Sequence, residues 1–422
     1  MFRVRQHFDR PLVEDIPAEV HAQLTQLSLA HRIKPGQTVA VTCGSRGIAN
    51  IHVIIKAVID HLKGLNAQPF VVPAMGSHGG GIAEGQRKII ESYGVTEQFI
   101  GCPIKASMDT VIVCDTAEGF PVHFDRHAHE ADHVVVVGRV KPHTGFSGDI
   151  QSGLMKMMLI GLGKHAGAKI YHRAILDHSF PQILRSVAGH VLEKCGIVAG
   201  VAIVENGYDE TAKIAGVAPE EFEAREKELL VQATQWMPKL PFEQVDLLII
   251  DEFGKNISGS GMDSNVVGRK QFEHCAAEHE YPKIKRIMIR SLTRETHGNA
   301  SGIGSTEFCS KRVLEEIDIN ATRINCLTGG VPSGAMLPLS FDTEREIVDA
   351  ALATIGLAEP PDARVLWIKN TLHVSEVECS ARYLEEARAR DDIELLRDPR
   401  DLQFDANGDL VGFQPGLAAH AA

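Results

Sequence analysis

The stretch M-P-K-L-P-F-E-Q-V-D-L-L-I-I-D, residues 237–251, decides how this chain is divided. Pro238 and Pro241 lack backbone donors and end any helix before them, and the V-D-L-L-I-I-D that follows is a short, continuous apolar run of the kind a parallel sheet buries on both faces. Similar runs recur on either side, at Thr38–Thr42, Phe70–Val72, His133–Val140, Ile197–Val204, Ile284–Arg290 and Arg364–Lys369. Between them lie helical patterns at Ile51–Leu62, Ile82–Tyr93, Pro181–Lys194 and Pro219–Trp236. Strands alternating with helices predict an α/β chain of two α/β domains, mainly parallel in their sheets, with a cofactor or substrate cleft between them. The first domain is expected over residues 1–240 and the second over 241–422, with the tail from about Asp391 free to pack back on the first.

At 422 residues the chain exceeds what one hydrophobic core usually organises, which agrees with two domains. The net charge of −12 opposes phosphate backbones and anionic membrane surfaces, and with Trp236 and Trp367 as the sole indoles little is available for base stacking. No stretch reaches the ~20 apolar residues of a membrane span, and M-F-R-V-R-Q-H-F-D-R has no apolar signal core. A cytoplasmic protein acting on a small molecule is expected. The eight cysteines contain no C-x-x-C pair, so neither a zinc ribbon nor an iron–sulfur run is suggested, and most are read as small core residues.

In open α/β sheets ligands gather at the carboxyl ends of strands, so the loops that follow each strand carry the functional reading. After the first strand, T-C-G-S-R-G sets Arg46 between glycines, where a guanidinium can meet a carboxylate or phosphate. After the second, M-G-S-H-G-G-G places His78 ahead of a helix, suited to work as a base beside an anion. The third loop is the richest. His143 follows a strand, Ser147–Gly148 and Ser152–Gly153 offer hydroxyl and backbone donors, and Lys156 lies in the apolar run L-M-K-M-M. A lysine among such neighbours is expected to be desolvated and therefore nucleophilic. His172, on a helix downstream, joins His143 and His78 as imidazoles able to serve a metal. The same region holds Gly161, Gly163 and Ala166 in a G-x-G-x-x-A match to a dinucleotide fingerprint, with Asp177 closer than that motif's acidic residue. In the second domain, D-E-F-G-K-N-I-S-G-S-G-M-D-S-N-V-V-G-R-K brings Arg269 and Lys270 on a polar loop able to close over a ligand.

With these motifs in place, the chain from Thr38 to His172, and more faintly through D-S-N at 263–265, resembles the nickel-dependent lactate racemase family. That resemblance implies a nickel-pincer nucleotide tethered through a lysine, one further histidine on nickel, a histidine acid/base pair, and an arginine on the substrate carboxylate. Matched by motif, Arg46 in G-S-R-G corresponds to the substrate arginine, His78 and His143 to the acid/base pair, Lys156 in S-G-L-M-K to the tether, and His172 to the nickel ligand. The Ser–Gly pairs would line the cofactor. Cys43 stands where the family usually has Asp, three residues separate H-T-G-F-S-G from S-G-L-M-K, and Leu154 replaces the second Gly of the family's S-G-G-x-K. Aligned the other way, Gln151 falls at the tether. The family's Y-Q-x-x-K is not reproduced in the second domain, where Arg269 and Lys270 are near enough to substitute.

The resemblance therefore implies a divergent racemase or epimerase of a 2-hydroxy acid, in which one histidine takes the hydroxyl proton while the α-hydrogen leaves as hydride to the cofactor. Two further readings stay open on the sequence. One is an NAD-dependent 2-hydroxy-acid dehydrogenase using Gly161, Gly163 and Ala166. The other is a non-catalytic small-molecule binding protein that has lost the tether.

Overall fold

The computed structural model describes residues 1–45 and 47–412. It divides into two compact units, Asp9–Met237 and Met1–Phe8 together with the described residues from Pro238 on. The chain opens with β1 (Phe2–Gln6), which belongs to the second of these.

The N-terminal unit contributes β2 (Thr38–Cys43), β3 (Gln68–Pro73), β4 (Thr110–Asp115), β5 (Pro121–Asp125), β6 (His133–Arg139), β7 (Ile197–Glu205) and β8 (Thr211–Val217). Five of them form a sheet in the order β3-β2-β6-β7-β8, parallel from β3 to β7 and closed by β8 running antiparallel to β7. The strand pleat explains why β6 is a valine run. Val134 and Val136 point into one core, Val135 and Val137 into the other, so both faces must be apolar. Helices Ile16–Gln26 and Ile51–Gly64 cover the second face; Phe180–Lys194 and Phe222–Trp236 cover the first. Helix Phe180–Lys194 starts where Ser179 accepts the Gln182 N–H and Pro181 occupies the first turn. The hairpin β4–β5, which carries no strong sequence signal, sends Val122 and Phe124 into the first core.

In the C-terminal unit follow β9 (Gln244–Phe253), β10 (Lys283–Leu292), β11 (Phe308–Ser310), β12 (Leu339–Phe341), β13 (Val365–Ile368), β14 (Glu376–Cys379) and β15 (Ile393–Arg397). With β1 they make an eight-stranded sheet, β12-β11-β10-β9-β13-β14-β1-β15, parallel from β12 to β13 and antiparallel beyond. The expectation for the tail is corrected here. Among the described residues of the tail, β15 pairs with β1 in the C-terminal unit, and it is the first eight residues that join the sheet of the other unit. Arg3, buried in β1, holds Glu378 of β14 at 2.7 Å, a pairing that short alternation in F-R-V-R-Q could not announce.

Candidate active site

The loops that leave β2, β3 and β6 in the N-terminal unit meet one helical segment. Residues Leu154–Lys156 begin a helix that passes through a single wide turn, Met157–Gly161, where the Leu162 N–H reaches back five residues to the Met157 carbonyl at 2.9 Å. Such turns insert one extra residue and recur at functional sites. The helix resumes over Lys164–Asp177. Gly76, at φ 60° after β3, is pressed against Ile160, since a Cβ there would lie 2.9 Å from Cγ2 of that residue. The wide turn thus sits directly on the His78 loop.

His78 is half-buried, and its Nδ1 is hydrogen bonded to the Ser45 hydroxyl. The Tyr93 hydroxyl donates to the Ser45 carbonyl at 2.6 Å, fixing the serine in turn. Gln86, wholly buried on helix Ala83–Ser92, donates its amide to the Gly76 and His78 carbonyls at 2.9 and 3.3 Å. Neither Ser45 nor Gln86 stood out in the sequence; both act through the loop backbone or ring, not by motif. Arg46, the expected substrate cation, lies outside the described residues.

His143 is fixed differently. Its Nδ1 accepts two backbone N–H bonds, from Gly145 at 2.9 Å and Phe146 at 3.0 Å, and the His143 backbone N–H donates to Gln151 Oε1 at 2.9 Å. The ring stacks on Phe146 with centroids 4.3 Å apart, and Phe146 stacks on Phe180 at 4.2 Å. Around this aromatic pile the structure gathers the next two candidates. Lys156 Nζ lies 5.8 Å from the centre of Phe146, and the His172 ring lies 6.2 Å from it. Burial, and then the nearby Lys156 cation, hold the His172 imidazole below its usual proton affinity. Lys156, His172 and His143 therefore share one aromatic neighbour, and His78 lies on the loop against the same helical segment.

Several expected roles change. Lys156 is half-buried, not enclosed: Leu154, Met155, Met158 and Leu159 take the core face and leave Lys156, Met157 and Ile160 beside it. The wholly buried lysine is Lys164, at 0% exposure and φ 54°, whose Nζ sits 2.8 Å from Asp125 Oδ2 and donates to the Pro73 carbonyl. Gly153, expected at the cofactor, has φ 147° and faces the Glu226 carboxyl carbon 2.6 Å from where a Cβ would be, so its hydrogen is needed for packing. Ser152 bonds both polar atoms of the Lys141 backbone, tying together the two ends of the loop. Ser147 and Gly148 are exposed, with Gly148 against Pro181. The G-x-G-x-x-A match follows a helical turn, not a strand; Gly161 packs on the Ala74 backbone and Gly163 on Leu159 and Tyr171. That removes the strand–turn–helix context a dinucleotide site requires, and with it the basis for the NAD reading.

In the C-terminal unit Arg269 is 4% exposed and committed to Glu307 at 2.9 Å and to the Ser305, Ile284 and Lys285 carbonyls. It is a structural cation, not a substrate contact. Lys270 is half-buried; burial lowers its ammonium to about 8 against the opposing pull of Asp263 and Glu280, and its Nζ lies 3.3 Å from Asn265 Oδ1. Asp263 in turn accepts the Asn265 backbone and side-chain N–H groups at 3.0 and 2.9 Å, so D-S-N and Lys270 form one polar cluster. The eight cysteines are all unpaired and six are buried; burial pushes the Cys43 thiol up to about 12.

Among the described residues no three His, Cys, Asp or Glu side chains are grouped to hold a metal ion, and no helix is long and apolar enough to cross a membrane. The residues that would fit the implied cofactor are an amine and an imidazole about one phenylalanine ring, Lys156 and His172.

Residues 11–182 match the family model described as the lactate racemase N-terminal domain. That span contains His78, His143, Lys156 and His172. Among solved structures, the chain is similar to a protein from Thermotoga maritima at 13% identity and a TM-score of 0.50, covering 78% of this chain and 84% of that one. The lactate racemase apoprotein from Thermoanaerobacterium thermosaccharolyticum is 11% identical over 80% of this chain and 95% of its own, at a TM-score of 0.45. No curated protein matches the sequence.

Proposed function

We propose, from the match of residues 11–182 to the lactate racemase N-terminal domain, that the chain is a divergent member of that family and a racemase or epimerase of a 2-hydroxy acid dependent on a nickel-pincer nucleotide. The observation that carries the proposal is the placement of Lys156 and His172 about Phe146, with His143 stacked on the same ring. In this reading the cofactor, when bound, supplies a hydride acceptor for a C–H bond too weakly acidic for a histidine to break alone. Lys156 would tether it, and His172, whose proton affinity burial and Lys156 lower, would serve as the nickel ligand. His78 and His143 meet the substrate hydroxyl and carbonyl oxygen, and Arg46 holds the carboxylate. Phe146, stacked on Phe180, covers one face of the His143 ring.

The experiment is chiral chromatography of short-chain and polyol 2-hydroxy acids after incubation with protein produced alongside the cofactor's biosynthetic proteins. Interconversion of one acid's C2 configuration, with no net oxidation, supports the reading. Cofactor-loaded protein that leaves every acid unchanged contradicts it.

A further inference from the structure

Two other imidazoles of the N-terminal unit meet away from these loops. His21 stands on helix Ile16–Gln26 and His61 on helix Ile51–Gly64, and the two helices pack on one another over the second face of the five-stranded sheet. Leu154, Met155 and Met158, around Lys156, pack on the first face. The Nδ1 atoms of His21 and His61 approach to 3.1 Å, with ring centroids 4.9 Å apart and planes inclined at 59°. A proton shared head-on across that gap would set the centroids about 5.4 Å apart, and a direct N–H···N bond prefers an angle above ~150°. The shorter separation means that the rings turn off the line joining the two nitrogens, as lone pairs aimed at a common third point do. Two imidazole nitrogens on one zinc-sized ion, at ~2.0–2.1 Å each and an angle of about 100–110°, stand about 3.1–3.4 Å apart. His61 is buried and His21 exposed, so one ring is anchored while the other faces solvent that can deliver an ion.

We infer that His21 and His61 form a binding site for a divalent transition-metal ion of the class imidazole suits, Zn²⁺, Ni²⁺ or Cu²⁺, with Nδ1 of each ring as ligand and water in the remaining positions. Each ring then carries its proton on Nε2 and offers the Nδ1 lone pair. Among the described residues no third His, Cys, Asp or Glu completes the group, and the carboxylates one turn or less away are engaged, Asp60 with Lys56 and Glu19 with the Gln23 amide. The ion would clip two helices far apart in sequence, so its binding stabilises the folded N-terminal unit. None of this depends on the proposed reaction, because neither histidine belongs to the residues assigned to it.

The test is zinc uptake by the full chain, stripped of metal and made without the cofactor, in competition with a chromophoric chelator. One Zn²⁺ per chain is expected in the tightest step. His21→Gln, at an exposed position, should weaken that step about tenfold or more, and His172→Gln should leave it unchanged, which separates this site from the nickel ligand proposed above. His61→Gln should act as His21→Gln does; where that buried substitution unfolds the chain, His21→Gln decides. Cu²⁺ bound at one equivalent should show by electron paramagnetic resonance the superhyperfine splitting of two imidazole nitrogens, and lose it in His21→Gln. A parent protein that takes up no zinc, or a His21→Gln protein that takes it up as the parent does, overturns the inference.

Discussion

Glu226 accepts the Met155 backbone N–H at 3.0 Å, one residue before Lys156, from a position almost wholly removed from solvent. It caps the helix that presents the lysine, and its second oxygen, Oε1, is buried without a hydrogen-bond partner. Burial is what raises this carboxyl, to about 7, against the lowering effect of the Met155 and Leu154 N–H groups. A carboxyl whose folded-state affinity for protons exceeds that of the unfolded chain favours folding most below the unfolded value near 4.5, and that contribution is lost as pH rises through 7. Glu226→Gln should therefore flatten the fall of melting temperature between pH 4.5 and 7. The difference between the two proteins should approach about 3 kcal/mol in order of magnitude. Equal pH slopes in calorimetry would contradict this.

The Lys164–Asp125 pair is the other buried charge at this site, and both side chains are fully enclosed. Removing one partner leaves an uncompensated charge in the core. Lys164→Met is expected to cost about 3–5 kcal/mol, and Lys164→Met with Asp125→Leu should recover part of it. Asp125 also caps Ala128, so recovery should remain incomplete. Urea midpoints at a constant m value measure both, and a single variant within 1 kcal/mol of the parent by the same scale would show the pair to be unimportant.

Arg269 and Lys270 are adjacent but predicted to behave oppositely. Arg269→Met removes the buried cation facing Glu307, which keeps only the Ile287 N–H and His274, and the contacts to three carbonyls, so it should lower stability by about 3–5 kcal/mol. Lys270→Met, at a half-buried amine, should change the midpoint by about 1 kcal/mol or less. Parallel denaturation of the two variants decides whether the structural assignment of Arg269 is right.

Thiol reactivity follows exposure and thiolate content. Cys275 is exposed, whereas burial pushes the Cys43 and Cys309 thiols up to about 12. In native protein at pH 8, alkylation should mark Cys275 first and leave Cys43 and Cys309 intact over the same interval, as read by peptide mass spectrometry. Early modification of Cys43 would place the loop after β2 in a more open state.

Much of this architecture was legible because it rests on local pattern. The valine run of β6 and the two prolines before β9 are dictated by burial on both faces and by missing donors, which sequence displays directly. What escaped depends on partners far along the chain. Phe146 is one residue in a glycine-rich loop, and only its stack on Phe180 makes it the centre around which Lys156 and His172 collect. Lys156 was expected to be enclosed because its neighbours are apolar, but helical periodicity turns those neighbours to the core and Lys156 aside. Lys164 is the lysine the fold buries, through an aspartate 39 residues earlier that no local pattern links to it.

The central claim is that Lys156 carries the cofactor. Native mass spectrometry with nickel analysis, on protein made together with the cofactor's biosynthetic proteins, tests it most directly. The account predicts one nickel and one covalently attached nucleotide per chain in the parent protein, and loss of the covalent nucleotide in Lys156→Ala. A Lys156→Ala protein that still carries the nucleotide covalently at one per chain would contradict it.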